Sequence, residues 1–400
     1  MQTVQNIQDI KYFTSQWDII DQSFDYSIQW DKFGIKNTYT SLPTFVADFS
    51  NCSVNSLPVL VTEDRKLITN HAWPLISKYR DRPHKVHDMF KEWGNQVDIN
   101  MPPITQQFNG SWKYVWLPID EYSSENPWHI WMDIISKFRL IEKRWSTNFE
   151  KYVFILANKS DYFDKVCKTF FPDLRYLVMP KNETWRFQHL IVPSMSNYND
   201  GILTPHMPLW IKHLSNLVKE KETKPHRKII ITRENASNRN IKNKEQMLMA
   251  LKGWETIDLE TLNIKEQVQL FAEATHIVSP HGAGLTNLLW CEPGTKVIEL
   301  THEAFFGKKV YPVLSHHLKL EHSVLLCDTV KISGKKPKNK KPKEFTDEEN
   351  KKFAALKEQK NSLIDKQKTA VDAFNKHKNE VFGPLDAKIK RYEDLSIRMF

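Results

Sequence analysis

The residues best able to do chemistry gather around one stretch, Ser279-Pro280-His281-Gly282-Ala283-Gly284-Leu285-Thr286-Asn287. A β-type run, Thr275–Val278, precedes it, and a second, Lys296–Leu300, comes after a Pro293-Gly294 stop. In open α/β sheets, the order strand, glycine turn, short helix, strand holds anions, because the helix start offers unpaired N–H groups and a positive dipole end. Gly282 and Gly284 remove side chains where a backbone must come close to something. Arg233 ends the run from Lys228, and Arg239 lies six residues later in the loop. Two arginines can grip a diphosphate with bidentate, charge-assisted hydrogen bonds. Glu299 ends the next strand and could accept hydrogen bonds from ribose hydroxyls. Each residue has a plainer reading, a solvated loop charge for the arginines and a satisfied structural histidine for His281. Their shared place at strand ends is what favours a phosphorylated donor.

A second pair lies far upstream, in Asn126-Pro127-Trp128-His129-Ile130-Trp131-Met132-Asp133. Asn126 can cap a helix with Pro127 in its first turn. His129 and Asp133 are four apart and share a helix face. A histidine held by a carboxylate is a usual general base near neutral pH. The alternative is a surface ion pair beside a Trp/Ile core stripe.

The elements needed to position these residues read clearly in the second half. Strands are expected over 228–233, 254–259, 275–279 and 296–300, with helices over 243–252, 264–274 and 283–291 between them. Strict alternation predicts a doubly wound parallel sheet. The first half gives a hairpin (58–62 with 66–69), strands at 114–117, 151–156, 175–179 and 189–192, and a helix over 162–171. Residues 1–57 are polar and aromatic without periodicity and yield no element. Turn-rich residues 194–208 mark a boundary, and 210–221 reads as a crossing helix. The expected domains are 1–205 and 206–330. A lysine-rich linker (331–343) and a charged helical extension complete the chain over 331–400, with helices over 345–381 and 385–400.

Composition narrows the function. With 40% hydrophobic and 26% charged residues, the chain reads as globular. The net charge of +9 is concentrated in the lysine-rich linker, which removes most support for a nucleic-acid partner. Four scattered cysteines without C-x-x-C spacing argue against a zinc knuckle or a disulfide framework, and for a reducing compartment. No secretory signal and no apolar run of roughly 20 residues is found, so a cytoplasmic protein is expected. There is no D-x-D to hold Mg²⁺ or Mn²⁺, no G-x-G-x-x-G fingerprint and no P-loop.

Ile231-Thr232-Arg233, Ser237 to Asn243, Leu262 to Ala274, and Ser279 to Asn287 with Val297-Ile298-Glu299-Leu300 resemble glycosyltransferase family 61. That family includes β-1,2-xylosyltransferases, GlcNAc transferases and bacterial or viral polysaccharide enzymes. Trp128 to Asp133 resembles its N-terminal motif, a histidine followed four residues later by an aspartate. The resemblance covers roughly residues 58–325 and leaves 331–400 without a counterpart. It implies a GT-B architecture of two facing Rossmann-like domains, inverting chemistry, a nucleotide-sugar co-substrate such as a UDP-sugar, and neither cofactor nor metal. By position, Arg233 and Arg239 would bind the donor diphosphate, and His281, Gly282, Ala283 and Gly284 would contact the nucleotide sugar. Glu299, Glu266 and Gln267 would support the nucleotide or the packing beneath it. His129 or Asp133 would be the acceptor-side base, or a buried pair that shapes the cleft. The expected acceptor is a glycan or lipid-linked glycan in capsule, lipopolysaccharide or other surface-glycan synthesis, with 331–343 touching the inner face of a membrane. The alternatives are a protein- or N-glycan-modifying xylosyl- or GlcNAc-transferase, and a non-catalytic nucleotide-binding relative.

Overall fold

The computed structural model describes residues 3–4, 14–23, 25–30, 35–41, 43–56, 58–65, 67–68, 90–93, 96–99, 103–110, 112–119, 124–145, 149–195, 197–198, 202–220, 222–232, 241, 243–302 and 309–327. The chain divides into two compact units, Met1–Val330 and Lys331–Phe400. The second unit, with the lysine-rich linker and the expected helices of 345–400, lies outside the described residues.

Two mixed sheet-and-helix layers build the first unit. The first sheet contains β1 (Thr14–Asp21), β2 (Thr44–Asn55), the hairpin β3 (Leu60–Val61) and β4 (Leu67–Ile68), β5 (Lys113–Leu117), β6 (Tyr152–Leu156), β7 (Tyr176–Val178) and β8 (Thr184–Pro193). Strands β8, β5, β6 and β7 run parallel in that order, and β8 then pairs antiparallel with β2. Both faces are covered. Along β2, Phe45, Ala47 and Phe49 enter one core cluster while Val46 enters the other, as the two-residue period of a strand requires. β2 has no signature in the sequence because its second half (Asp48, Ser50, Asn51, Ser53, Asn55) is mostly polar and lacks an apolar run.

Helix α1 lies on this sheet. It starts as Pro127–His129, widens into a π-helical segment Ile130–Ile135 and continues as Ser136–Arg144. Asn126 caps it, its side chain accepting the Trp128 N–H at 3.0 Å, and Pro127 sits in the first turn, where its missing donor costs nothing. Buried Arg139 ties the helix to β1 through a two-pronged bond to Asp21 at 2.6 and 2.9 Å. Helix α2 (Asp161–Phe170) connects β6 to β7, and α3 (His206–Leu214) leads towards the second sheet. The crossing helix expected over 210–221 is thus shifted towards the N-terminus and ends in a 3₁₀ turn, Ser215–Leu217. Pro208 is tolerated because it falls in the first turn.

The second sheet is wholly parallel among the described residues. Its strands are β9 (Arg227–Thr232), β10 (Glu255–Asp258), β11 (Ala274–Pro280), β12 (Lys296–Thr301) and β13 (Glu321–Leu326), in spatial order β10-β9-β11-β12-β13. The crossovers are α4 (Lys244–Ala250), α5 (Ile264–Ala272), a 3₁₀ helix (Ala283–Trp290) and α6 (Val310–His317). Ile229, Ile230 and Ile231 are all buried, as a sheet covered on both faces demands. One hydrophobic cluster runs from Val115 and Trp131 through Trp290 to Ile229 and Val297, so the two layers share a core. At its centre Trp131 and Trp290 meet edge to face at 5.0 Å. Each such indole buries on the order of 200 Å², about 5 kcal/mol of transfer free energy at most. No helix among the described residues is long and apolar enough to cross a membrane.

Candidate active site

Strands β9 and β11 are neighbours, but the chain leaves β9 towards β10 on one side and leaves β11 towards β12 on the other. Such a reversal opens a crevice at the carboxyl ends of the strands. A cleft of about 880 Å³ lies there. Its sheet side is made by Ile231 and Thr232 ending β9, Asp258 ending β10, and Ser279, Pro280, Ala283 and Gly284 at the end of β11 and just beyond it. Glu125, Tyr162, Lys165 and Lys168 of the first layer form the opposite side. The sequence carries no signal for those two α2 lysines beyond an (i, i+3) spacing.

Local packing explains the turn. A Cβ at Gly284 would lie 2.9 Å from Leu259 Cδ1, so glycine lets the turn close against the loop that lines the cleft. Gly282 lies in extended backbone, which any residue can adopt. Asn287 holds the short helix: its amide donates to Gln267 Oε1 at 2.9 Å and to Gly284 O at 3.2 Å, and its oxygen accepts the Trp290 indole N–H at 3.0 Å. Gln267 donates in turn to the carbonyls of Leu259 and Leu262, at 3.1 and 3.0 Å. Glu266 completes the capping box with Asn263 that starts α5. Gln267 thus lines the cleft while bracing the loop of Leu259 and Leu262, and Glu266 is engaged in the cap of α5.

His281 and Glu299 do come together, but away from the walls of this cleft. His281 Nδ1 hydrogen-bonds one Glu299 oxygen, and His322 Nε2 bonds the other at 2.9 Å. Ser315 Oγ sits 2.7 Å from His322 Nδ1. Burial opposes ionisation of Glu299, yet the hydrogen bonds from His281 and His322 outweigh it and hold the carboxyl below the ordinary glutamate range. With both oxygens engaged and the side chain only 2% exposed, Glu299 anchors His281. His322 and Ser315 have no sequence signal: they stand on β13 and α6, brought to Glu299 by the register Val297↔His322 and Glu299↔Val324.

The upstream pair also forms. His129 Nδ1 is 2.7 Å from Asp133 Oδ2, and the Asn197 amide donates to Asp133 Oδ1 at 2.9 Å. His129 caps the π-helical segment and Asp133 lies inside it, a feature frequent at functional sites. One turn further, the buried Lys137 donates to the carbonyls of Pro193 and Ser194, each at 2.9 Å. Burial pushes its ammonium down to about 7, against the pull of Asp133. The series 129, 133, 137 at four-residue steps is a legible signal that extends the His–Asp pair by one more polar group. An aromatic bridge links both sets of residues, Trp128 meeting Tyr311 at 5.5 Å and Tyr311 meeting His281 at 5.2 Å. Arg233, the residue after Thr232, and Arg239 lie outside the described residues. Among the described residues, no three His, Cys, Asp or Glu side chains are grouped so as to hold a metal ion.

A parallel α/β sheet with a cleft at its switch point, faced by a second α/β layer, is an arrangement that receives ligands at the carboxyl ends of its strands. Comparison with known proteins makes this more specific. Residues 127–298 match the family model described as Glycosyltransferase 61, and the chain carries a domain of that family. The matched segment begins at the first residue of α1 and ends one residue before Glu299, so it holds His129, Asp133 and most of the cleft. A stretch of 64 residues is 34% identical to beta-1,2-xylosyltransferase RCN11 of Oryza sativa subsp. japonica. That stretch is 16% of this chain and only 12% of the relative's length.

Proposed function

We propose that this protein is an inverting glycosyltransferase of GT-B type, with the layers of 1–205 and 206–330 acting as acceptor and donor domains. The observation that carries this reading is the switch-point cleft lined by Ser279, Pro280, Ala283 and Gly284. A nucleotide-diphosphate sugar, such as a UDP-sugar, occupies that cleft. Its diphosphate meets the N–H groups of the turn, with Arg233 and Arg239 closing over it. Glu299 acts through His281 and leaves ribose recognition to other groups. An acceptor hydroxyl gives its proton to His129, oriented by Asp133, as its oxygen bonds to the anomeric carbon. The bond from that carbon to the diphosphate breaks, and the arginines stabilise the departing anion. Charge neutralisation by arginine and lysine takes the place of a metal in this scheme. The acceptor is a glycan or lipid-linked glycan of a surface polysaccharide, reached in the cytoplasm with 331–343 resting on an anionic membrane. The similarity to a beta-1,2-xylosyltransferase favours a second reading, transfer of xylose in a β-1,2 linkage.

Incubation with a panel of UDP-, GDP- and CDP-sugars, with and without EDTA, tests the proposal through nucleotide release. Release from one donor, unchanged by EDTA and lost in Arg233→Ala, is the expected result. If no nucleotide sugar is turned over and none raises the melting temperature, the proposal fails. A UDP-xylose preference would favour the second reading.

A further inference from the structure

Because two histidines hold Glu299 away from the cleft walls, the hydroxyls of a nucleotide's ribose need another acceptor there. Among the described residues, the carboxylates lining the cleft are those of Glu125, Asp258 and Glu260. Glu125 is committed to the start of α2, its two oxygens accepting the N–H groups of Asp161 at 2.7 Å and Tyr162 at 3.0 Å. Glu260 is exposed on the loop beyond β10. Asp258, by contrast, is placed by the sheet: it ends β10, in register with Thr232 at the end of β9. Its half-buried side chain caps the 3₁₀ turn Leu259–Thr261, one oxygen accepting the Glu260 N–H at 3.1 Å. Its carbonyl accepts the Thr261 hydroxyl at 2.8 Å. The loop that follows is braced as well, since Gln267 donates to the carbonyls of Leu259 and Leu262 and is itself held by Asn287. The carboxylate is therefore positioned before any ligand arrives, which lowers the entropy lost on binding.

We infer that Asp258 accepts hydrogen bonds from the ribose hydroxyls of the bound nucleotide, and is the residue by which the cleft selects ribonucleotides. This rests on the reading of the cleft as a nucleotide-diphosphate site. The spatial order β10-β9-β11 sets out the ligand along one line, with the diphosphate at the turn after β11 and the ribose over the ends of β9 and β10. Two strand spacings, about 10 Å, separate the ends of β11 and β10. A nucleoside diphosphate lying across the strand ends spans that gap between its phosphates and its sugar hydroxyls. An ionised carboxylate accepts and never donates, and the ribose diol presents it with two donors. Such a group offers about four acceptor positions, so the bond to the cap and bonds to a diol can coexist. Bonds of this charge-assisted kind are roughly twice as strong as neutral ones. Because Asp258 stands on the far side of β9 from the turn, its negative charge is kept away from the phosphates.

Calorimetric titration of the full-length protein with UDP and GDP, and with their 2′-deoxy and 3′-deoxy counterparts, reads the ribose contribution. In the wild type, removal of at least one hydroxyl is expected to weaken binding about tenfold to a hundredfold. Asp258→Ser keeps a residue suited to the cap but withdraws the carboxylate from the sugar. It should bind the ribonucleotide more weakly by the same factor and the deoxynucleotide as the wild type does, so that the preference disappears. Glu260→Gln should retain the preference. Equal binding of ribo- and deoxynucleotides by the wild type would overturn the inference, as would an intact preference in Asp258→Ser or its loss in Glu260→Gln. A fall in GDP affinity alone, with the ribose preference unchanged, would mean that the carboxylate reads guanine, and would overturn it too. Failure to bind any of these nucleotides overturns the functional reading itself, whereas binding without a ribose preference overturns only the role of Asp258. Should Asp258→Ser fail to fold, Asp258→Asn, which also preserves the cap, is expected to narrow the preference, and an undiminished one would refute the assignment.

Discussion

Glu299→Gln removes a charge from the buried chain while nearly preserving shape, and its cost can be worked from the contacts. In the wild type, one carboxylate accepts from two histidines at a site only 2% exposed, so solvent screening is slight. Glutamine keeps one oxygen, and a neutral bond there is weaker than a charge-assisted one by about 1 kcal/mol. Its amide N–H then confronts the other histidine's N–H, and that ring must change tautomer and give up a partner, a further ~2 kcal/mol. The expected loss is about 3 kcal/mol, read as the shift in urea midpoint multiplied by the unfolding slope at pH 7. The pH dependence supplies a second check. Glu299 is held below its ordinary value of 4.5, so its contribution is present above that value and fades as pH falls through the lower folded-state value. The gap between wild type and variant must therefore narrow on acidification below about pH 4.5. A gap under about 1 kcal/mol at pH 7, or one that widens in acid, would refute the reasoning.

Other perturbations rest on equally local facts. Burial lowers His317 to about 4, so below pH 6.5 the unfolded chain takes a proton that the fold refuses. Stability should fall by about 3 kcal/mol between pH 6.5 and 4 from this residue, and thermal midpoints of His317→Gln should lack that slope. Lys137, lowered to about 7, works in the opposite window, because above pH 7 the unfolded chain holds a proton the fold has released. Wild type should gain about 2–3 kcal/mol on Lys137→Met between pH 7 and 9 in paired urea titrations. Gly284→Ala should displace the Leu259 side chain at the edge of the cleft, cost at most about 1 kcal/mol in urea unfolding and weaken UDP binding measured by calorimetry.

Legibility differs between the two sheets for a physical reason. β9 and β11 are short apolar runs, and the strands from β9 to β12 are separated by helical crossovers, so most of this sheet is coded locally. The capping box at Asn263 and the Asn126-Pro127 start are of this kind, and both appear where the residues place them. The first sheet depends on pairing across long separations. Thr44–Asn55 pairs with Thr184–Pro193, some 140 residues away, and nothing local announces a partner so distant. Even the strand expected over 189–192 begins several residues earlier, because its start, Thr184–Gln188, is half polar and lacks an apolar run.

The site divides along the same line. His129 with Asp133, and Asn287 with Gly284, are neighbours by helical spacing, and such pairs can be named from a sequence. His281 and Glu299 belong to adjacent strands of one β-helix-β unit, and their meeting could be suspected from strand ends. His322 could not: it reaches Glu299 diagonally across the β12–β13 register, from the polar start of a strand whose apolar residues, Val324 to Leu326, come later. The residues easiest to read are thus those that hold backbone turns in place, whereas the histidine that completes the hydrogen bonding of Glu299 depends on the sheet having formed. A search for further determinants of donor binding should therefore begin with strand neighbours of Glu299 and with the α2 face bearing Lys165 and Lys168, and only then return to the motifs themselves.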